Sequence, residues 1–215
     1  QFMDYALPPV VVRRFKNLND LDIYWAAQLR FENNYSAGNI FSDLFNSGCT
    51  LLSWGFESGS RKVLNSINKG GILNQVKRAE ILKKSADSGI LNHLFVIVGL
   101  PGETEGDFVE TVNFIINNQD YIHGLEVYPY QFTPHTQFFN TLEKNRNTNV
   151  NEDDWSLDVP LRDPSENELI EQRVEYIQKK FQFLYERSKT NDFIEGHLAL
   201  KRSHFSTRNK YEVAI

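Results

Sequence analysis

The segment that most constrains the fold is His93–Gly99, which reads His-Leu-Phe-Val-Ile-Val-Gly and is almost continuously apolar. A strand with one face in water alternates apolar and polar residues, whereas a strand covered on both faces does not. An amphipathic segment follows, and Thr104 with Asp107 has the spacing of a capping box at its start. The pattern predicts an interior strand of a parallel sheet that leads into a helix.

The same alternation recurs over residues 1–135. The predicted strands are Phe2–Tyr5, Asp22–Phe31, Leu51–Glu57, His93–Gly99 and Leu125–Phe132. The predicted helices run from Pro8 to Phe15, through Ile40 and Phe45 up to Gly48, over Leu73–Ser88, and onward from Thr104. Crossovers of this length suit parallel pairing. The chain is therefore α/β, either an open doubly wound sheet or an arc of a β/α barrel.

Two helices should show their buried faces in the sequence. The expected faces are Val76, Ala79, Leu82, Lys83 and Ala86 in one helix, and Phe108, Val109, Val112, Ile115 and Ile116 in the next.

Residues 136–215 form a second region, a loop and helical extension. Asn140–Asp163 is polar and is predicted to be a mobile loop. Ser165 and Glu168 suggest a capping box before a helix over Glu166–Ser188. Its predicted apolar stripe is Ile170, Val174, Ile177, Phe181 and Leu184, and its polar side is Glu171, Arg173, Glu175, Lys179, Lys180 and Arg187. We expect the stripe to pack on the same chain's sheet rather than on a second copy, because an open sheet edge needs cover.

Composition excludes several classes of protein. One cysteine, Cys49, allows neither an intramolecular disulfide nor an all-cysteine metal site, and it is expected to be a small core residue. The formal net charge of −5 gives no sign of a nucleic-acid surface, and no apolar stretch is long enough to span a bilayer. The five histidines lack metal-ligand spacing, and His93 is expected to be a core residue. A cytoplasmic protein is the expectation.

Ligands of α/β folds sit at the carboxyl ends of the strands, where Asp4, Arg30, Glu57, Gly99 and Tyr130 are predicted to lie. Glu57, within Trp54–Ser60, could accept hydrogen bonds from ribose hydroxyls or an ammonium group. Alternatively it caps the next helix, with Ser58 and Ser60 forming local turns. Gly55 and Gly59 would let a ligand approach the backbone.

Two further strand ends each have two interpretations. Gly99–Thr104 could present backbone amides to an adenine edge or a carboxylate, or it could be an ordinary turn with Thr104 as N-cap. Arg30, with Glu32 nearby, could bind a carboxylate through two hydrogen bonds, or it could pair with a neighbouring loop.

Taken together and in order, several segments resemble the core of radical S-adenosylmethionine (radical SAM) enzymes, most of all the group often fused to a cobalamin-binding domain. The matching segments are Ser47–Ser60, Val63-Leu64, Lys69-Gly70, Ser88–Ile90, Val98–Thr104 and Thr111. The resemblance covers about residues 1–135. It implies a partial (β/α)6 TIM-like barrel, incomplete at its N-terminus, with a C-terminal helical extension.

The resemblance also implies cofactors. In that family three cysteines bind a [4Fe–4S] cluster, S-adenosylmethionine chelates the fourth iron, and its reductive cleavage gives a 5′-deoxyadenosyl radical. By resemblance the S-adenosylmethionine contacts are Glu57, Ser58, Arg30, Val98, Gly99, Pro101, Gly102, Tyr130, Gln131 and Asp4. Cobalamin is a further possible cofactor. An electron donor such as flavodoxin or ferredoxin is the implied partner, and the substrate is open.

The sequence departs from the family because the three-cysteine motif is missing, and Cys49 does not replace it. The first strand and most of the second are expected to be missing too. We therefore expect a fragment of a longer enzyme that is inactive alone. Two alternatives remain at this stage: a non-catalytic β/α-barrel-derived binding or interaction module, and a β/α-barrel enzyme that does not use S-adenosylmethionine.

Overall fold

A computed structural model of the protein describes residues 2–4, 14, 23–36, 38–67, 74–131 and 164–189. Predictions for Pro8–Phe15, for Asn140–Asp163 and for the boundary at residue 135 fall largely or wholly outside these residues. None of the described helices is both long enough and apolar enough to cross a membrane.

Within the described residues, five strands form one sheet. They are β1 (Phe2–Asp4), β2 (Trp25–Leu29), β3 (Cys49–Glu57), β4 (Leu91–Val98) and β5 (Gly124–Pro129). Every neighbouring pair is parallel, and the order across the sheet is the order along the chain. The predicted parallel α/β architecture is confirmed.

Six α-helices accompany the strands in the described part of the chain. They are α1 (Ile40–Asn46), α2 (Arg61–Ser66), α3 (Gln75–Asp87), α4 (Glu105–Asn118), α5 (Pro164–Lys180) and α6 (Gln182–Lys189). Short 3-10 turns occur at Asn33–Tyr35 and Gln119–Tyr121. The capping box of Thr104 and Asp107 forms as predicted at the start of α4.

The main core lies between the sheet and the helices. Trp54 of β3 is fully buried there and stacks on Phe31, with 4.8 Å between the ring centroids. Its indole N–H donates to Asn92 of β4, whose amide in turn donates to the carbonyls of Leu82 and Tyr121. This buried amide connects β3 and β4 to the middle of α3 and to the second 3-10 turn.

The helix faces differ from the predicted ones. In α3, Val76 is 76% exposed, whereas Arg78 is only 1% exposed. In α4, Val109 and Ile116 lie at the surface, and Thr111 and Phe114 are buried instead. Both helices bury polar side chains that find hydrogen-bond partners. The face predicted from apolar spacing alone is therefore rotated about the helix axis relative to the observed buried face.

The C-terminal helices pack on their own chain, as predicted. Ile170, Ile177, Phe181 and Leu184 are buried, and Val174 is partly buried against the same core. The Ser188 hydroxyl donates to the carbonyl of Leu125 in β5. The stripe therefore covers the sheet at β5.

Three details of this region correct the predictions. The helix begins at Pro164, so Ser165 lies in its first turn rather than before it. The helix is interrupted at Phe181 and continues as α6. Arg173, predicted on the polar side, is buried because it reaches Glu105 (2.7 Å) and Glu103 (3.5 Å) and lies over the Phe108 ring.

Candidate functional site

The carboxyl ends of β2 to β5 open into a cavity of about 610 Å³ on the inner face of the sheet, opposite the helix-side core. Its lining residues are Gln28, Leu29, Arg30, Gly55, Glu57, Phe95, Ile97, Tyr128, Pro129, Tyr130 and Gln131. A concave site at strand ends is where parallel α/β folds bind ligands.

Glu57 enters this cavity from a strained turn. Its φ is 60°, and the N–H of Ser58 donates to the carbonyl of Phe56 over 2.7 Å, which closes a three-residue turn around it. The pairing register of β3 with β4 also shifts here, between Gly55 and Glu57. A left-handed glutamate costs roughly 1–3 kcal/mol and persists only where its surroundings enforce it.

Gly55 makes room for the Glu57 carboxylate. A Cβ atom added to Gly55 would lie 3.0 Å from Oε1 of Glu57. The carboxylate therefore folds back over Gly55, and Glu57 is only 7% exposed. The absence of a side chain at position 55 helps fix where the negative charge sits.

Arg78 of α3 binds the backbone of the turn around Glu57. Its guanidinium donates to the carbonyls of Ser58 (2.9 Å), Phe56 (3.4 Å) and Gly59 (3.4 Å). It lies over the ring of Phe56, 4.5 Å from the centroid. Burial lowers the pKa of Arg78 to about 10, so it stays cationic at neutral pH. Fixed carbonyls on both sides of Glu57 leave that residue little freedom.

A second anchor joins the turn to α4. The Gly59 N–H donates to the hydroxyl of Thr111 over 2.8 Å, and the Ser58 and Thr111 hydroxyls are 3.2 Å apart. A Cβ atom at Gly59 would lie 2.6 Å from the backbone of Glu110 and Thr111. Gly59 thus serves close packing against α4 rather than the approach of a ligand.

Asp107 links the turn after β3 to the turn after β4. The Ser60 hydroxyl donates to Asp107 over 2.6 Å, and the Thr104 hydroxyl and Lys62 ammonium donate to it as well. Burial alone would raise the pKa of Asp107, but hydrogen bonds from Ser60, Thr104 and Lys62 hold it well below its ordinary value. Ser60 also caps α2, so the cap predicted as an alternative role for Glu57 belongs to Ser60.

Arg30, Tyr130 and Gln131 form the two flanks of the cavity. Arg30 follows β2 and is exposed, while Tyr130 and Gln131 follow β5. The Tyr130 N–H donates to the carbonyl of Val98 over 2.7 Å, which extends the pairing of β4 and β5 up to the rim. Three of the four residues predicted to share a cavity, Glu57, Arg30 and Tyr130, do so.

Gly99, the fourth, does not line the cavity. Its N–H donates to Oε2 of Glu103 over 2.7 Å. The amide of Gly99 is therefore not open to a ligand, in contrast to the first of the two interpretations of this turn. A Cβ atom on Gly99 would lie 2.4 Å from Cδ1 of Ile170, because α5 packs on this turn. Burial raises the pKa of Glu103, against the opposing effects of the Gly99 amide and Arg173.

Four more of the predicted site residues, Ser58, Val98, Pro101 and Gly102, are not among the residues that line the cavity. Val98 and Ser58 are buried, while Pro101 and Gly102 belong to the turn before α4. Asp4 ends β1 and pairs in register with Ala27. The contacts of these residues with a cofactor stay predictions. Cys49 and His93 are buried, as expected.

Sequence reasoning missed the deeper wall of the cavity. Phe95 and Ile97 of β4, Tyr128 of β5 and Gln28 of β2 line it. The signal was available in the two-residue period of a strand: once Glu57 faces a cavity, alternate residues of neighbouring strands face it too. Arg78 was missed because nothing local distinguishes it from a surface arginine on a helix.

The chain's donor set does not fit a [4Fe–4S] cluster. Such a cluster needs cysteine thiolates, and the sequence has only Cys49, which is buried at the opposite end of β3 from the cavity. Among the described residues, no group of three or more His, Cys, Asp or Glu side chains could hold a metal ion. The cavity does fit a ligand with a carboxylate, hydroxyls and an aromatic ring, through Arg30, Glu57 and Tyr130.

Comparisons with known proteins agree with this geometry. The family model described as "Radical SAM superfamily" matches residues 28–115, which run from the last two residues of β2 to near the end of α4. No curated protein is similar enough to the chain to count as a match.

Two solved structures have similar folds. One is the radical S-adenosylmethionine methyltransferase TsrM from Kitasatospora setae, with cobalamin and a [4Fe-4S] cluster bound (14% identity, TM-score 0.53, 64% of this chain and 27% of that chain). The other is coproporphyrinogen III oxidase HemN from Escherichia coli, a radical SAM enzyme (18% identity, TM-score 0.56, 81% of this chain and 37% of that chain). The matches thus span well under half of either protein.

Proposed function

Residues 28–115 belong to the radical SAM superfamily, and on that premise we propose that this chain forms the S-adenosylmethionine-binding part of a radical SAM enzyme. The observation that carries the proposal is the strand-end cavity, into which Glu57 is held by a strained and heavily anchored turn. A protein keeps such strain where a side chain must be fixed for function.

In this proposal each cavity residue binds a different part of S-adenosylmethionine. Arg30 binds the carboxylate of S-adenosylmethionine, and Glu57 accepts hydrogen bonds from its ribose hydroxyls or its ammonium group. Tyr130 and Gln131 lie against the adenine. In radical SAM enzymes the bound S-adenosylmethionine supplies the radical that removes a hydrogen atom from the substrate.

The complete enzyme would need parts from outside these 215 residues. Cysteines elsewhere would bind the [4Fe–4S] cluster, since Cys49 is buried away from the cavity. An electron donor such as flavodoxin or ferredoxin would reduce it. Cobalamin is a further candidate cofactor, supported only by the likeness to TsrM.

A binding experiment tests the proposal directly. Titration calorimetry of the purified chain with S-adenosylmethionine should show binding, and Glu57→Gln should weaken it at least about tenfold, the cost of roughly one strong hydrogen bond to a charged group. The control is Glu175→Gln, at an exposed glutamate on α5. If the Glu57 variant binds as tightly as the parent, the proposed site is wrong.

A second candidate function is a non-catalytic module that binds S-adenosylmethionine without cleaving it. The single buried cysteine favours it. The two candidates differ under reduction by dithionite. A module of this kind leaves S-adenosylmethionine intact even when the whole natural protein is used, whereas the enzyme releases methionine and 5′-deoxyadenosine.

A further inference from the structure

Below the rim of the cavity, polar side chains cross the inner face of the sheet in one row. Ser53 of β3 lies 3.4 Å from Nδ1 of His93 in β4, measured from its hydroxyl oxygen. Nε2 of His93 lies 3.5 Å from Oε1 of Glu126 in β5. The Tyr128 hydroxyl donates to Oε2 of Glu126. We call these four residues the inner polar row.

The row is not needed to fill the sheet. Nearer the amino ends of the strands, the small apolar cluster of Ala26, Leu51 and Leu91 packs without polar atoms. Placing a carboxylate and an imidazole on the same face costs desolvation that apolar residues would avoid. A row of this kind inside a sheet calls for a role beyond packing.

The row runs from the interior to the cavity. Ser53 and His93 are buried, the Glu126 side chain is 26% exposed, and Tyr128 is half exposed and lines the cavity. The neighbouring residues Leu125 and Val127 belong to the helix-side core, so Glu126 and Tyr128 project from the opposite face. Only the Glu126–Tyr128 end of the row can meet a ligand.

The protonation states of the inner polar row determine which charge a ligand bound there would carry. Burial lowers the pKa of His93, with the Glu126 charge opposing it, so the imidazole is neutral at neutral pH. The hydrogen bond to Glu126 raises the pKa of Tyr128 to about 12 and keeps its phenol protonated. Glu126 is then the residue that gives the inner polar row its negative charge, and the Tyr128 hydroxyl already donates its hydrogen bond to Glu126. Toward the cavity the row offers acceptors and a negative charge.

Two further charged residues line the cavity. They are Arg30 and Glu57, which are opposite in sign, so together they add no net charge to the lining. Phe95 and Ile97 of β4 also line the wall and provide an apolar surface. Next to an anionic acceptor, this surface suits a molecule with an apolar body and a basic nitrogen.

We propose that Glu126 and Tyr128 bind the ammonium group of the substrate, while its apolar part lies against Phe95 and Ile97. His93 and Ser53 are positioning residues, which hold the carboxylate in place from behind. The inference deepens the proposed function, because the molecule bound would be the substrate of the enzyme whose S-adenosylmethionine binds at Glu57 and Arg30.

Small probes test the proposal on the purified chain. Benzylamine, benzyl alcohol and benzoate share an apolar body and differ in the charged or polar group. By NMR, benzylamine should shift the His93 ring resonances saturably, with a dissociation constant on the order of a millimolar, and benzoate should not. Glu126→Gln should weaken benzylamine binding about tenfold and Tyr128→Phe about threefold, and Glu175→Gln should have no effect.

S-adenosylmethionine also carries an ammonium group, which could be the group that binds at Glu126 and Tyr128. Measuring both ligands on both variants distinguishes this possibility from a substrate site. If Glu126→Gln weakens S-adenosylmethionine binding as strongly as benzylamine binding, the row belongs to the cofactor and the inference is overturned. Equal binding of benzylamine and benzoate also overturns it. If benzylamine binds as expected but S-adenosylmethionine does not bind at all, the cation site stands and the proposed function fails. If Glu57→Gln weakens only S-adenosylmethionine binding and Glu126→Gln weakens only benzylamine binding, the proposed function and the cation site are both supported.

Discussion

Arg78 shows how much of the site depends on one side chain that does not line the cavity. Its guanidinium is buried and donates to carbonyls before and after Glu57. A planar donor that reaches three backbone oxygens at once has no equivalent among the other side chains, lysine included. The geometry of Glu57 therefore depends on a residue in α3, the second helix after β3.

Replacing Arg78 should cost stability as well as geometry. Arg78→Met would leave the buried Ser58 carbonyl without its 2.9 Å donor and remove packing from Phe56, and we expect a loss of about 3 kcal/mol in the free energy of unfolding. Urea unfolding measures it. The control, Lys179→Met, breaks an exposed pair with Glu175 and should change stability by less than about 0.5 kcal/mol. Similar losses in both variants would contradict the anchoring role.

His93 gives a prediction for the effect of pH on stability. Its pKa is lowered in the folded protein, so the unfolded chain binds the proton more readily between that value and the ordinary value of 6.5. Stability from this group is complete above about pH 6.5 and falls as the pH drops below it, by at most about 1.4 kcal/mol per pH unit.

The variant His93→Asn should flatten the pH dependence of unfolding over that window, while Glu126→Gln should lower the His93 pKa further by removing an attractive charge. Urea unfolding at several pH values and histidine NMR titration check the two effects. An unchanged slope in His93→Asn would show that another group titrates there.

At this scale the sequence predicted the charged residues of the rim and missed those behind them. Glu57 and Arg30 stand at the ends of apolar strands, where a charge is unusual enough to notice. Arg78 and Glu126 sit among residues whose exposure depends on the neighbouring element. The acceptors of Arg78 come from a turn about twenty residues earlier, and no local pattern records that contact.

At the scale of elements, the C-terminal helices work as a cover for β5 and for the turn after β4. Ile170 packs on Gly99, and Arg173 binds Glu103 and Glu105 on either side of the Thr104 cap. The predicted apolar stripe is confirmed, since stripe spacing depends only on helix geometry. The buried Arg173 could not be predicted, because its partners belong to a loop some seventy residues earlier.

The variant Phe181→Asp should destabilise the protein strongly, because it places an unpaired charge in the contact with the core. Phe181 is 6% exposed, and a loss of about 3 kcal/mol would lower the melting temperature by roughly 6–12 °C. Phe183→Asp is the matched control, since Phe183 is 72% exposed, and it should leave the melting temperature nearly unchanged. Equal effects would mean that this helix is not held by the core.

Strand positions were predicted more accurately than helix faces. A strand buried on both sides has a composition signal of its own, and all five strands occur where they were expected. The face of a helix depends on which polar residues find partners, and in α3 Arg78 is buried among its carbonyl acceptors while Val76 is exposed.

For the whole molecule, the cysteine count leads to a test that needs no substrate. After anaerobic reconstitution with iron and sulfide, the purified chain should hold no stoichiometric [4Fe–4S] cluster, because one buried thiolate cannot bind it. Iron and sulfide assays, together with the visible absorption of the cluster, measure this. A cluster at full occupancy would overturn the proposal that its ligands lie outside these residues.

The order of the strands also has a consequence for synthesis. Every strand pairs with the strand next to it in the chain, so the sheet can grow one unit at a time as the chain leaves the ribosome. The residues that close the cavity, Tyr128 to Gln131, emerge after every other strand residue that lines it. A nascent chain arrested before β5 would therefore have a partial sheet with an uncovered edge, and its cavity would lack the wall formed by Tyr128 to Gln131.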